Sequence, residues 1–116
     1  MITDVFCKIL KGELNADVVY KDDEFWVIKD INPQAPVHLL TIPVQHFTSL
    51  EDFEHGDHDG LLGRALKVAH KVAHQAGIAE KGYRLIINEG EYGGKLVPHL
   101  HIHLLGGKRL GPKIVR

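Results

Sequence analysis

A chain of 116 residues with 44% hydrophobic and 25% charged side chains can bury one core but not two, so a single domain over 1–116 is expected. Fourteen Lys and Arg against fifteen Asp and Glu leave a formal net charge of −1, which offers no field to nucleic acid or anionic lipid, and no apolar run is long enough to span a bilayer. One cysteine, Cys7, cannot close an internal disulfide, and Met1-Ile2-Thr3-Asp4 lacks the basic and apolar regions of a secretion signal; the expected compartment is the cytoplasm.

Thr3 is placed to cap a short helix over 4–11, in which Val5, Phe6, Ile9 and Leu10 share one side and Gly12 offers a left-handed stop. Two runs rich in β-branched and aromatic residues, 18–22 and 24–29, flank Asp22-Asp23 and predict an antiparallel hairpin. Asp30-Ile31-Asn32-Pro33-Gln34-Ala35-Pro36 is a loop by its prolines. A third strand follows over 38–43, stopped by Pro43, with His46 just beyond it. The segment 48–60 carries seven acidic or histidine side chains and reads as a solvated connection with room for one helical turn.

Apolar positions 62, 65, 66, 69, 72, 73 and 76 make one stripe of a helix over 61–76, and Gly77 is a natural terminator. His70 and His74 lie four apart on this helix, but with no third ligand near them in sequence they read as solvated side chains. Residues 83–88 form the fourth strand. Glu89-Gly90-Glu91-Tyr92-Gly93-Gly94-Lys95 is a glycine-rich turn whose backbone amides can come close to an anion. The tail 110–116 reads as extended. The expected fold class is α+β, a five-stranded antiparallel sheet with one long helix and a short N-terminal helix.

The fifth strand carries the chemistry. In Pro98-His99-Leu100-His101-Ile102-His103-Leu104-Leu105-Gly106-Gly107 histidine and aliphatic residues alternate, so a strand over 99–105 would put three imidazoles on one face and Leu100, Ile102 and Leu104 on the core side. His99 and His103 would stand roughly 13 to 14 Å apart along such a strand, so at most two of the rings could share a metal ion. The remaining chemistry is phosphorus transfer: a neutral imidazole is a nucleophile near pH 7, and flanking imidazoles can donate to an anionic group.

The run His99-Leu100-His101-Ile102-His103-Leu104-Leu105 resembles the signature of the histidine triad (HIT) family, and its Gly106-Gly107 ending resembles the Hint, or purine nucleoside phosphoramidase, branch. The similarity extends from Asp4 to about Pro112. It implies a homodimer with helix 61–76 at the interface. It also implies a nucleotide pocket lined by Phe6, Ile9, Ile28 and Ile31, with Asp30 accepting from the ribose hydroxyls and Asn88, Gly94 and the position of Leu96 on the phosphate side. His38 matches a fourth histidine that orients the triad. Two departures stand out, the first that Lys95 and Leu96 stand where many relatives carry a glutamine and a hydroxyl residue, and the second in the metal ligands. The zinc ligands of some relatives are here matched by Asp4, Cys7, His46 and His99, a set with one thiolate, so no cofactor is expected and a structural zinc is the less favoured alternative.

The implied activity is hydrolysis of purine nucleoside 5′-phosphoramidates, conjugates of AMP or GMP. His101 would attack the α-phosphorus, with His99 and His103 neutralising the phosphoryl oxygens and His38 positioning them. The alternatives are a dinucleoside polyphosphate hydrolase or nucleotidyl transferase with the same nucleophile, or a nucleotide-binding module with little catalysis.

Overall fold

The computed structural model describes residues 4–53 and 59–112. The short helix α1 (Val5–Leu10) is capped by Asp4, whose side chain accepts from the Cys7 amide. Thr3, the expected cap, lies outside the described residues. Strands β1 (Val18–Lys21) and β2 (Phe25–Lys29) pair antiparallel. Their turn closes because Asp22 Oδ1 accepts from the amides of Glu24 and Phe25, a local hydrogen-bonding habit that makes Asp a turn residue. Strand β3 (Val37–Pro43) is buried along nearly its whole length, and a single 3₁₀ turn, Leu50–Phe53, follows it. Helix α2 (Asp59–Gln75) ends before Gly77, which supplies the positive φ of the stop.

Strands β4 (Arg84–Ile86) and β5 (Ile102–Gly106) complete an antiparallel sheet in the order β1-β2-β3-β5-β4. The expected fold class holds. β3 is central, and alternate residues along it face opposite sides of the sheet. Leu39, with Val27, Ile102 and Leu104, packs against Ala65, Val68, Val72 and Ala73 of α2. Leu40 and Ile42, with Ile28, pack against Phe6 and Ile9 of α1. The stripe on α2 is therefore close to the expected one, except that Val68 is buried and Leu66 and Ala76 are exposed.

The histidine run departs from expectation. β5 begins at Ile102 rather than residue 99, and its pairing with β3 stops at Thr41 opposite Ile102. Pro98 has no amide to give a ladder, and the Leu100 amide donates to the Phe47 carbonyl, off the sheet. His99 thus lies on irregular backbone, free to turn where the strand alternation would not take it.

Candidate active site

The three rings of the run have three different environments. His101 Nδ1 lies 2.7 Å from the carbonyl oxygen of His99. A carbonyl only accepts, so Nδ1 carries the ring proton and Nε2 keeps its lone pair. Burial pushes this imidazolium below its ordinary value, and the nearby Lys95 charge adds to that against the opposing hydrogen bond. At neutral pH His101 is a neutral ring with an oriented, unprotonated Nε2, which is what a nitrogen nucleophile requires. Its plane is braced by the edge of Phe6, 5.0 Å between centroids.

The second environment is a relay. The Gln34 amide donates to His38 Nδ1 at 3.1 Å, which leaves the neutral ring's proton on Nε2. That nitrogen stands 2.9 Å from His103 Nδ1 and 3.3 Å from Asp30 Oδ2. With His38 donating to His103 Nδ1, the His103 proton sits on Nε2, pointing out of the relay; Asn88 Nδ2, 3.5 Å away, is also a donor, so the Asn88 amide has to turn its Oδ1 to accept from that N–H. The contact follows from the register, which pairs Leu40 with His103 and His38 with Leu105 and so makes the two histidines diagonal neighbours on the α1 face. Burial, then the adjacent His101 and His38, lower the His103 pKa to about 4. Asp30, His38 and His103 also lie close enough to share a metal ion. The tautomer opposes that use, because the His38 nitrogen that would bind is the one carrying the proton.

The third environment removes His99 from the phosphate side. It is fully buried, with Nε2 donating to the Pro43 carbonyl at 3.1 Å and Nδ1 facing Asp4 Oδ2 at 3.2 Å. Both nitrogens are engaged, so the expectation that His99 neutralises phosphoryl oxygens is corrected: its carbonyl orients His101, and its ring belongs to another cluster. In that cluster His46 Nδ1 lies 3.3 Å from Asp4 Oδ2 and 3.2 Å from Cys7 Sγ, and Cys7 Sγ lies 3.6 Å from His99 Nδ1. Around a tetrahedral zinc with bonds near 2.0 Å to N or O and 2.3 Å to S, neighbouring donors are roughly 3.3 to 3.6 Å apart. The four residues fit that pattern. Their outer nitrogens fit it too, since His99 Nε2 is held by Pro43 and His46 Nε2 by Thr48 Oγ1 at 3.1 Å, as metal-binding imidazoles are held from behind.

Of the other expected residues, Phe6, Ile9 and Ile28 are buried in one cluster, which meets His101 through the Phe6 ring. Asp30 uses Oδ1 on the Asn32 amide and turns Oδ2 to His38. Ile31 is 91% and Leu96 93% exposed, so neither side chain is packed into the site. Gly94 takes a φ of +81° in the turn before the run, a conformation that favours glycine. Two participants had no readable signal: the Gln34 backbone amide and the Pro43 carbonyl, which act through main-chain atoms that any residue carries. A third, Lys95, is distinctive in sequence but shows its place only in the fold, where Nζ donates to the Thr48 carbonyl and stands 3.4 Å from Glu89.

The HIT domain model matches residues 11–110. The chain belongs to the HIT family. A purine nucleoside phosphoramidase from Escherichia coli K12 is 47% identical to this HIT protein over 110 residues, covering 95% of the chain and 92% of the relative. A HIT family hydrolase from Clostridium thermocellum superposes with a TM-score of 0.90 at 49% identity, each chain covered to 99%. A zinc-bound histidine triad protein from Mycobacterium smegmatis superposes with a TM-score of 0.74 at 30% identity, covering 96% of this chain and 78% of that one.

Proposed function

We propose that this HIT protein hydrolyses purine nucleoside 5′-phosphoramidates through a nucleotidyl-histidine on His101. The observation that carries the proposal is the His101 Nδ1 to His99 carbonyl bond, which leaves Nε2 as the one unprotonated nitrogen of the ring. Nε2 attacks the α-phosphorus, a P–N bond to His101 forms, the P–N bond to the substrate amine breaks, and the amine leaves with a proton taken from solvent or a neighbouring donor. Water then attacks the same phosphorus, the bond to His101 breaks, and the nucleoside monophosphate departs. The His103 Nε2–H, oriented by His38, donates to the phosphoryl oxygens as their charge grows, and Asn88 stands beside it. Asp30, Ile28 and Phe6 serve the nucleoside. Mass spectrometry of the protein mixed with an adenylyl phosphoramidate tests this: an adenylyl adduct on His101, absent in His101→Ala, is expected. Turnover without any adduct, or faster turnover of a diadenosine polyphosphate, would overturn it.

A structural zinc at Asp4, Cys7, His46 and His99 is favoured by their donor spacing and by the zinc-bound relative, ahead of the cofactor-free state expected from sequence. Held by these four residues, such an ion would supply cross-linking, tying the cap of α1 to the backbone that presents His101, and would take no part in the transfer steps. Metal analysis of purified protein finding less than a tenth of an equivalent, in a buffer containing zinc, would dismiss it.

The assembly and compartment follow the family resemblance. The chain is proposed to act as one domain and to pair as a homodimer on the exposed flank of α2 at Leu66 and the open edge of β4. A monomer in sedimentation at micromolar concentration would sink this. Among the described residues no helix is long and apolar enough to cross a membrane, and a lone thiol suits the reducing cytoplasm proposed for it.

A further inference from the structure

We propose that His70 and His74 on the outer face of α2 form a chelating site for a borderline divalent transition cation such as Cu²⁺, Ni²⁺ or Zn²⁺, separate from the Asp4, Cys7, His46 and His99 cluster. Four-residue spacing alone only puts two rings on one helix face. The fold adds two observations. The Nε2 atoms of His70 and His74 stand 3.2 Å apart, with their rings nearly perpendicular and 4.6 Å between centroids. Two nitrogens at that separation, each about 2.05 Å from an ion, subtend about 100° at it, between the square-planar and tetrahedral angles that these metals take.

The second observation is what stands behind His70. Its Nδ1 is hydrogen-bonded to the hydroxyl of Tyr83, on the residue just before β4. With a cation on Nε2 the ring proton resides on Nδ1 and is donated to the Tyr83 oxygen, so tyrosine takes the place that a carboxylate or carbonyl holds behind most metal-binding histidines. The two Nε2 atoms share a hydrogen bond, so a cation enters by displacing the proton between them, and because the rings are exposed the remaining positions of the ion are filled by water. A cation here ties the C-terminal turns of α2 to the root of β4. Leu66 lies on the same flank one turn back, so this site borders the surface proposed for a second copy, and cation binding and assembly must be read by different measurements.

The full chain, carrying whatever its buried cluster holds, is titrated with Cu²⁺ or Ni²⁺ and followed by calorimetry and by paramagnetic broadening of the histidine ring signals. The expected result is one more equivalent bound by the wild type than by His74→Ala or His70→Ala, with His70 and His74 signals broadened first. Alanine at these exposed helical positions raises helix propensity, so the variants fold. Tyr83→Phe keeps the stoichiometry and weakens this equivalent by about tenfold or more. Equal stoichiometry in wild type and His74→Ala, or broadening elsewhere first, would overturn the site, and sedimentation of the same samples reports assembly independently.

Discussion

Two clusters whose histidines lie two to four residues apart along one backbone use the same side chain in opposite ways. Around His99 both ring nitrogens are engaged, one by a carbonyl and one by an acidic, thiol and imidazole group, and the ring is sealed from solvent. Around His101 the bond to the His99 carbonyl fixes one nitrogen and leaves the other for a substrate, and around His103 the bond to His38 fixes Nδ1 while Nε2 meets the Asn88 side chain at 3.5 Å. The difference teaches that in a histidine run the role of a ring is decided by which nitrogen the main chain occupies, and not by its place in the alternation.

The largest break in that comparison is His101→Ala. Loss of the nucleophile should cut turnover more than a hundredfold, about 2.7 kcal/mol of barrier, while AMP still binds through Asp30 and the wall of Phe6 and Ile28. Single-turnover kinetics and AMP titration check both halves. A variant keeping more than about a hundredth of the rate would move the nucleophile elsewhere.

The opposite cluster should break the other way. His46→Ala or Cys7→Ser disrupts the partially buried group around Asp4 without touching the reacting nitrogens. The expected loss is about 1 to 3 kcal/mol of stability, with turnover per folded molecule within a few-fold of wild type. Urea melts beside active-site titration measure the split. If either change abolishes the chemistry in folded protein, the two clusters are one machine.

Most of the architecture was legible, because the sheet is built from runs whose alternation and turn residues are strong local signals: Asp22-Asp23, Pro43, Gly77 and the stripe on α2 all act where they stand in sequence. The histidine run misled for a definite reason. Alternation predicts a strand from residue 99, but Pro98 and the Leu100 amide bond to Phe47 take 99–101 off the sheet, and that tertiary bond has no local signature. The family pattern identified His46 and Asp4 as companions of His99. Only the fold shows that His99 is thereby lost to the phosphate side, and that the tautomers of His38 and His101 are set by main-chain atoms of Gln34 and His99.

A smaller effect sharpens the contrast through pH. His103 has its pKa lowered from 6.5 to about 4, chiefly by burial. Between those values the unfolded chain binds a proton that the folded one refuses, so this group's contribution to stability is complete above about pH 6.5 and is lost as pH falls toward about 4. His101 and His99 are lowered in the same direction. Urea midpoints should therefore fall with pH across this window, and His103→Asn should flatten the slope. A midpoint that rises as pH falls would mean that His103 is charged in the folded protein.

The smallest expected effect concerns Leu96, where the family resemblance leads one to expect a hydroxyl. Leu96 is 93% exposed, so Leu96→Ser should leave stability within about 0.5 kcal/mol, as surface changes do. A positioned general acid contributes about 10²-fold or more, but a hydroxyl on a side chain that nothing holds can deliver only part of that. The gain should be a few-fold, confined to substrates with a poorly leaving amine and to the first step, because the amine has already gone when water attacks the nucleotidyl-histidine. Burst kinetics separate the two steps. An equal effect on both, or none on either, would mean that the departing nitrogen takes its proton from water or from a group already in place, and that the exposed position at 96 is silent in the reaction.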